Sequence, residues 1–158
     1  MKTVVLVAVV VALSALSACG CVQNESGKTS QEHYTTERDA ACAAVEGCDA
    51  QFVADVPLYE SADPVADGCD EGAVGCFCHN PGCSGSIVIA DQDQHMKNCA
   101  EDDWSNECVY SQQLIAMHEY VHAAYKSIGK DTHNHGPEFD AALIRAFKIW
   151  RKMQKAQH

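Results

Sequence analysis

Positive charge is scarce in this chain of 158 residues. Eleven Lys and Arg residues stand against 22 Asp and Glu, which gives a formal net charge of −11 at pH 7. A surface this acidic has no general attraction for a phosphate backbone, so we expect no nucleic-acid partner. The sequence also lacks internal repeats, and its length is typical of one folded domain.

The chain also lacks an apolar run as long as the roughly 20 residues that a typical transmembrane helix needs. Its longest run, residues 3–18, follows Lys2 and fits a signal peptide better. Residues 16–19 read L-S-A-C, which resembles a bacterial lipobox, where cleavage precedes the cysteine and its thiol is lipidated. We therefore predict a signal peptide over residues 1–18, lipidation of Cys19, and a bacterial cell-envelope protein whose lipid anchor holds it on a membrane.

Cysteine, in contrast, is abundant, with ten residues. Setting Cys19 aside leaves nine, a density typical of a small domain stapled by disulfides in an oxidising compartment. Because nine is odd, one thiol stays unpaired, and Cys21 beside the anchor is our candidate. The short-range candidate pairs are Cys42–Cys48 and Cys99–Cys108.

A second metal site is the alternative for part of the cysteine-rich segment. Its members would be Cys69, Cys76, Cys78 and Cys83. Their spacing is not that of paired C-x-x-C knuckles, and an oxidising compartment favours disulfides, so we favour disulfides.

The polar residues 19–34 predict a flexible tether. The folded domain then covers residues 35–158, with its cysteine-rich segment at 69–108. We predict a short helix over residues 35–46 and an irregular, disulfide-pinned segment over residues 51–85.

A β-branched run at residues 86–90 predicts a strand, followed by an acidic loop or short helix over residues 91–107. Two longer helices are predicted after it. The first covers residues 112–127, with Ser111 as N-cap and Gly129 just past its end.

The second helix begins at Pro137, a residue favoured at the first helical position. Its predicted buried stripe consists of Phe139, Ala142, Leu143, Ala146, Phe147 and Trp150. Its last turns carry Arg145, Lys148, Arg151, Lys152 and Lys155 and no acid. We interpret these cations as a solvated face that complements the helix C-terminus.

The sequence His118-Glu119-Tyr120-Val121-His122 is an H-E-x-x-H motif within the first of these helices. Residues i and i+4 lie one turn apart on the same face, so both imidazoles can bind one zinc ion. Glu119 lies roughly 100° around the helix, where it can act as general base on a water bound to the metal.

A catalytic zinc site usually has a third protein ligand. His133, His135, Glu138 and Asp140 are the candidates that follow the motif. Ile128 occupies the position where the metzincin pattern requires histidine, which excludes that class. Glu138 lies closer to the motif than the glutamate ligand of gluzincins usually does.

The segment His135-Gly136-Pro137-Glu138-Phe139 resembles the H-G-P-E-F element of SprT-like metallopeptidases. The order of strand, H-E-x-x-H helix, loop, H-G-P-E-F and final helix is similar to theirs from about residue 85 to 150. The resemblance implies a small α+β zincin-like domain with His135 as third zinc ligand. It also implies an edge strand that pairs with extended substrate, for which Ile87, Val88 and Ile89 are the candidates.

The chain departs from that family in its C-terminal sequence and in its charge. Many SprT-like proteins carry a C-terminal zinc ribbon and act on DNA-bound proteins, but no cysteine follows Cys108, and the charge is strongly negative. The resemblance therefore supports the fold and the chemistry, and not a role at DNA.

We therefore expect a zinc metalloendopeptidase with one catalytic Zn²⁺ that cleaves proteins or peptides at the cell envelope. A non-catalytic zinc-binding lipoprotein with a zincin-like fold is the first alternative. A zinc-buffering lipoprotein that uses its eight His residues and acidic loops is the second.

Overall fold

The structure is a computed structural model that describes residues 32–78, 85–101, 111–130 and 135–157, with residues 97–101 described by their backbone alone. The predicted signal peptide, Cys19, Cys21 and almost all of the tether lie outside these residues. His133 and the side chains of the Cys99–Cys108 pair also lie outside them. No described helix is both long and apolar enough to cross a bilayer.

Within the described residues the chain forms five helices and three short strands. In chain order they are α1 (Thr35–Ala44), α2 (Ala50–Ala54), β1 (Leu58–Ser61), β2 (Gly75–Phe77), β3 (Ile87–Ala90), α3 (Gln92–Glu101), α4 (Gln112–Ser127) and α5 (Pro137–Ala156). The domain is therefore of the α+β class, as predicted.

The three strands form one sheet in the order β1-β3-β2. β3 pairs in parallel with β1 and antiparallel with β2, so it is the central strand. All four of its residues are buried, which explains why it is a continuous apolar run rather than an alternating one. At Gly75 of β2, an added Cβ atom would lie 2.8 Å from Cγ2 of Ile115, so β2 and α4 approach closely there.

Helix α4 is the centre of the domain, since it contacts β2 and β3 as well as α1, α2 and α5. Its residues 115–117 and 119–125 are all buried. The predicted bounds of α4 are confirmed, and Gly129 closes its C-terminus at a φ of +71°, a conformation that favours glycine.

Helix α5 is joined to α1 by two side chains. The indole Nε1 of Trp150 donates a hydrogen bond of 2.7 Å to Glu37, whose side chain is buried. Arg145 donates from Nε and Nη2 to the carbonyl oxygen of Ala44, at 3.0 and 2.9 Å. Ala44 is the last residue of α1, so its carbonyl oxygen accepts no hydrogen bond within that helix. Arg145 supplies the missing donor.

Two boundaries differ from the predictions. Tyr34, assigned to the tether from its polar surroundings, is 1% exposed and its hydroxyl donates to Glu60 at 3.0 Å, so packing begins before residue 35. Residues 51–85 are not irregular throughout, because α2, β1 and β2 lie in this segment. β1 and β2 have only four and three residues, too few for a periodic pattern to stand out.

Two disulfides join pairs of cysteines that both lie within the described residues. The predicted pair Cys42–Cys48 is confirmed, and a second bond joins Cys69 to Cys76. Since Cys76 belongs to β2, this second bond fixes an edge strand of the sheet to the preceding loop. It also removes two of the four cysteines that the alternative metal site would have used, and a third, Cys78, is disulfide-bonded as well.

Candidate metal centre

Helix α4 presents two of the predicted metal ligands. His118 and His122 lie one turn apart, and their Nε2 atoms are 3.1 Å from each other. His122 is buried and His118 is half-buried, because the helix passes through the core. The two histidines therefore have little conformational freedom and point to a common location.

His135 joins them from the start of α5. Its Nε2 lies 3.2 Å from Nε2 of His118 and 3.1 Å from Nε2 of His122. The Tyr125 hydroxyl, on α4, donates a 3.0 Å hydrogen bond to the carbonyl oxygen of Glu138 and so ties the first turn of α5 to α4. Pro137 restricts the backbone where the helix begins.

These three nitrogens fit a tetrahedral metal ion. Ligands at 2.0–2.1 Å from zinc in a tetrahedral site are about 3.3 Å from one another, close to the 3.1–3.2 Å found here. Three imidazole lone pairs that converge without a cation would repel one another. Because His135 is exposed, the group opens to solvent on that side, which leaves a place for a further ligand.

The other candidate ligands do not join the group. The carboxylate of Glu138 forms a 2.8 Å ion pair with Lys130, and the Glu138 side chain is 79% exposed. Asp140 is exposed as well. Its negative charge acts on the histidines only at a distance, by opposing the fall in the pKa of His118. Among the described residues, His118, His122 and His135 are the one cluster of three or more His, Cys, Asp or Glu that can hold a metal ion.

Electrostatics keeps the first ligand neutral. Burial, together with the smaller effect of the nearby His135, lowers the pKa of His118 to about 4. A histidine must be unprotonated to bind a metal ion. His118 therefore offers its lone pair at neutral pH without first losing a proton.

The Phe139 side chain packs against all three histidines, a role that the sequence does not reveal. Its ring centroid lies 5.2 Å from that of His118, 4.4 Å from that of His122 and 4.6 Å from that of His135. Phe139 is itself 5% exposed. The predicted buried stripe of α5 includes Phe139, and its burial is confirmed. The spacing of the stripe does not show that Phe139 covers the metal centre.

Glu119 lies on the same helix as His118 and His122, and its side chain is 6% exposed. Burial, partly offset by a hydrogen bond from the Phe77 backbone N–H, raises the pKa of its carboxyl group to about 8. A carboxyl group whose pKa lies near neutrality can both take and return a proton.

The predicted substrate strand is wrong. Ile87, Val88 and Ile89 belong to β3, which is paired on both of its edges and cannot accept another strand. A short apolar run shows burial, but it does not show which strands flank it. β2 is instead an outer strand of the sheet, antiparallel to β3 and in contact with α4.

No protein-family model, curated protein or solved structure matches the chain. The functional assignment therefore depends on the geometry of the site and on the motifs of the sequence.

Proposed function

We propose that this domain is a zinc-dependent metallopeptidase that cleaves proteins or peptides at the cell envelope, where lipidated Cys19 anchors it. One observation carries the proposal: the Nε2 atoms of His118, His122 and His135 converge, and the helix that holds two of them carries the buried carboxyl group of Glu119. The H-G-P-E-F resemblance to SprT-like metallopeptidases supports the same zincin-like reading.

The three histidines would hold the metal, and their neutral imidazoles suit zinc. Zinc bound there would act as a Lewis acid and lower the pKa of a bound water. In this proposal the carboxylate of Glu119 accepts a proton from the attacking water. The resulting carboxylic acid then donates that proton to the nitrogen of the leaving amine.

The surroundings of Glu119 suit both transfers. The Phe77 N–H favours the carboxylate that takes the proton, and burial favours the acid that returns it. Phe77 belongs to β2, the outer strand that contacts α4. An extended substrate would therefore pair with β2 rather than with β3, beside the proton-transfer group.

Zinc analysis and proteolysis of denatured casein test this function on the same preparations. We expect wild type to bind one zinc ion and to cleave. Glu119→Gln should retain zinc and lose at least about 100-fold in kcat/KM, the scale of a lost general base. Glu46→Gln is the matched control, because it makes the same change at an exposed glutamate of the loop after α1.

A zinc-loaded wild type that leaves every denatured protein intact would overturn the peptidase proposal. It would favour the second candidate, a non-catalytic zinc-binding envelope lipoprotein. The burial of Glu119, of which only 6% is exposed, is the observation that favours this second candidate. In that case the zinc ion would stabilise the fold, and its removal would lower the free energy of unfolding.

A further inference from the structure

Charge is strongly segregated along the chain. Residues 141–158 hold five Lys or Arg and no Asp or Glu, whereas residues 1–140 hold the other six cations and all 22 acids. Residues 141–156 belong to α5. A protein with a large negative net charge thus concentrates nearly half of its cations on part of one helix.

Four of these cations share one surface of α5, which we call the basic face: Lys148, Arg151, Lys152 and Lys155. They follow one another at i, i+3, i+4 and i+7 and are all exposed. Ile144, one turn earlier on the same side, is 55% exposed. Arg145 is not part of the basic face, because its guanidinium binds the end of α1.

No ion pair within the described part of the domain involves the basic face. The ion pairs formed there are Arg38–Asp39 and Lys130–Glu138, and neither involves α5 beyond its first turn. Complementing the C-terminus of α5 requires cations only in the last turn. Lys148 lies two turns before the end of the helix, so this role does not explain it.

The described chain begins beside the basic face. An open cavity of about 810 Å³ is lined by Glu32, Thr35 and Thr36 together with Trp150, Arg151 and Lys155. Glu37 also lines it and accepts the Trp150 hydrogen bond. The segment that leads back to Cys19 therefore enters the domain next to two cations of the basic face.

We propose that the basic face docks the domain on anionic phospholipid headgroups of the membrane that carries its anchor. Twelve residues separate Cys19 from Glu32, so the domain cannot move more than about 45 Å from the anchor even if they are fully extended. The headgroups are then at a high effective concentration beside a surface of opposite charge. Ile144 adds an apolar side chain at the boundary of that surface.

The choice of a membrane as partner rests on the proposed anchoring through Cys19 and not on the proposed peptidase activity. The acidic remainder of the protein would be repelled by the same membrane, so docking fixes the orientation of the domain. The histidines lie at the start of α5 and the basic face lies in its second half. The metal centre therefore stays outside the docked surface.

Co-sedimentation with vesicles tests the proposal on the mature chain from residue 19 carrying Cys19→Ser, which removes the lipid. We expect binding to phosphatidylglycerol-containing vesicles at millimolar lipid, none to pure phosphatidylcholine, and loss of binding at high salt. Lys148→Gln/Lys152→Gln should weaken partitioning about 30-fold, since each cation near an anionic surface contributes about fivefold.

Lys126→Gln/Lys130→Gln is the matched control, because it removes two exposed cations from the end of α4 and the loop after it. The control should bind as wild type does. An absence of binding to anionic vesicles, or an equal loss in both double variants, would overturn the proposal. So would tighter binding to duplex DNA than to anionic vesicles. Zinc content and casein cleavage do not enter this test, so its failure is distinct from failure of the proposed function.

Discussion

The backbone N–H of Phe77 donates a hydrogen bond to the buried carboxyl group of Glu119. This contact joins β2, a strand of three residues, to the helix that carries the H-E-x-x-H motif. Because the Cys69–Cys76 disulfide holds the same strand, the position of the carboxyl group depends on the cysteine-rich segment. That segment is therefore part of the structure that supports the candidate site.

The raised pKa of Glu119 predicts a pH-dependent stability for the metal-free domain. Its value of about 8 in the folded state lies above the ordinary value of 4.5, so the stabilisation is complete below pH 4.5 and is lost as the pH rises through 8. Glu119→Gln removes this titration. Its advantage in free energy of unfolding over wild type should be largest above pH 8, on the order of a few kcal/mol, and should shrink as the solution becomes acidic.

Urea unfolding with a metal chelator present, at mildly acidic, neutral and basic pH, measures this difference. The exposed Glu46→Gln variant again serves as control, and its difference from wild type should not change with pH. A constant difference between Glu119→Gln and wild type across the range would contradict the expectation.

Removal of His135 should abolish tight metal binding. Substitutions of residues that merely support metal ligands typically cost 10–100-fold in affinity, so we expect His135→Ala to lose at least about 100-fold. Glu138→Ala is the control, because this carboxylate pairs with Lys130 instead of facing the histidines. Competition with a chromogenic chelator gives both affinities, and equal zinc affinities for His135→Ala and wild type would exclude His135 as a ligand.

Phe139→Leu should loosen the metal centre without unfolding the domain. The smaller side chain no longer packs against all three imidazole rings, and we expect zinc affinity to fall about 10-fold, as for other supporting residues. Phe147→Leu makes the same change on the same helix, at a ring that stacks on Trp150 instead. If both variants lose the same zinc affinity, packing of α5 in general, and not contact with the histidines, is responsible.

Trp150→Phe should destabilise the domain through Glu37. The substitution removes the 2.7 Å hydrogen bond to a carboxylate that is 2% exposed, and a buried polar group that loses its partner costs about 1–3 kcal/mol. Glu37→Leu/Trp150→Phe should recover part of that loss because it removes both polar groups. Denaturant unfolding of both single variants and the double variant gives the coupling energy, and additive losses would argue against the pair.

The sequence predicts α4 and α5 well because their signals are local and repeated. Sixteen residues with helical periodicity, bounded by Ser111 and Gly129, predict both the helical conformation and the bounds of α4. The pairing of His118 with His122 follows from the helix repeat itself. β1 and β2 are missed because short strands carry few periodic positions, and β3 is misread because strand order depends on distant segments.

The rest of the candidate site depends on contacts between distant segments. His135 is identified through its resemblance to the H-G-P-E-F element, since residue spacing alone leaves four candidates. The bond from Phe77 to Glu119 uses a backbone group, which every residue except proline has, and so has no signature in the sequence. Arg145 likewise looks like one more cation of the basic stretch until its contact with Ala44 is seen.

The close approach of β2 to α4 makes position 75 as restrictive as a position that carries chemistry. Even a single methyl group there would meet Cγ2 of Ile115, a β-branched side chain that cannot easily turn aside, and would separate the strand from the helix. In a library of all single substitutions scored for cleavage, Gly75 should therefore tolerate as few replacements as Glu119. The substitution data alone would therefore not distinguish the steric requirement at Gly75 from the chemical requirement at Glu119.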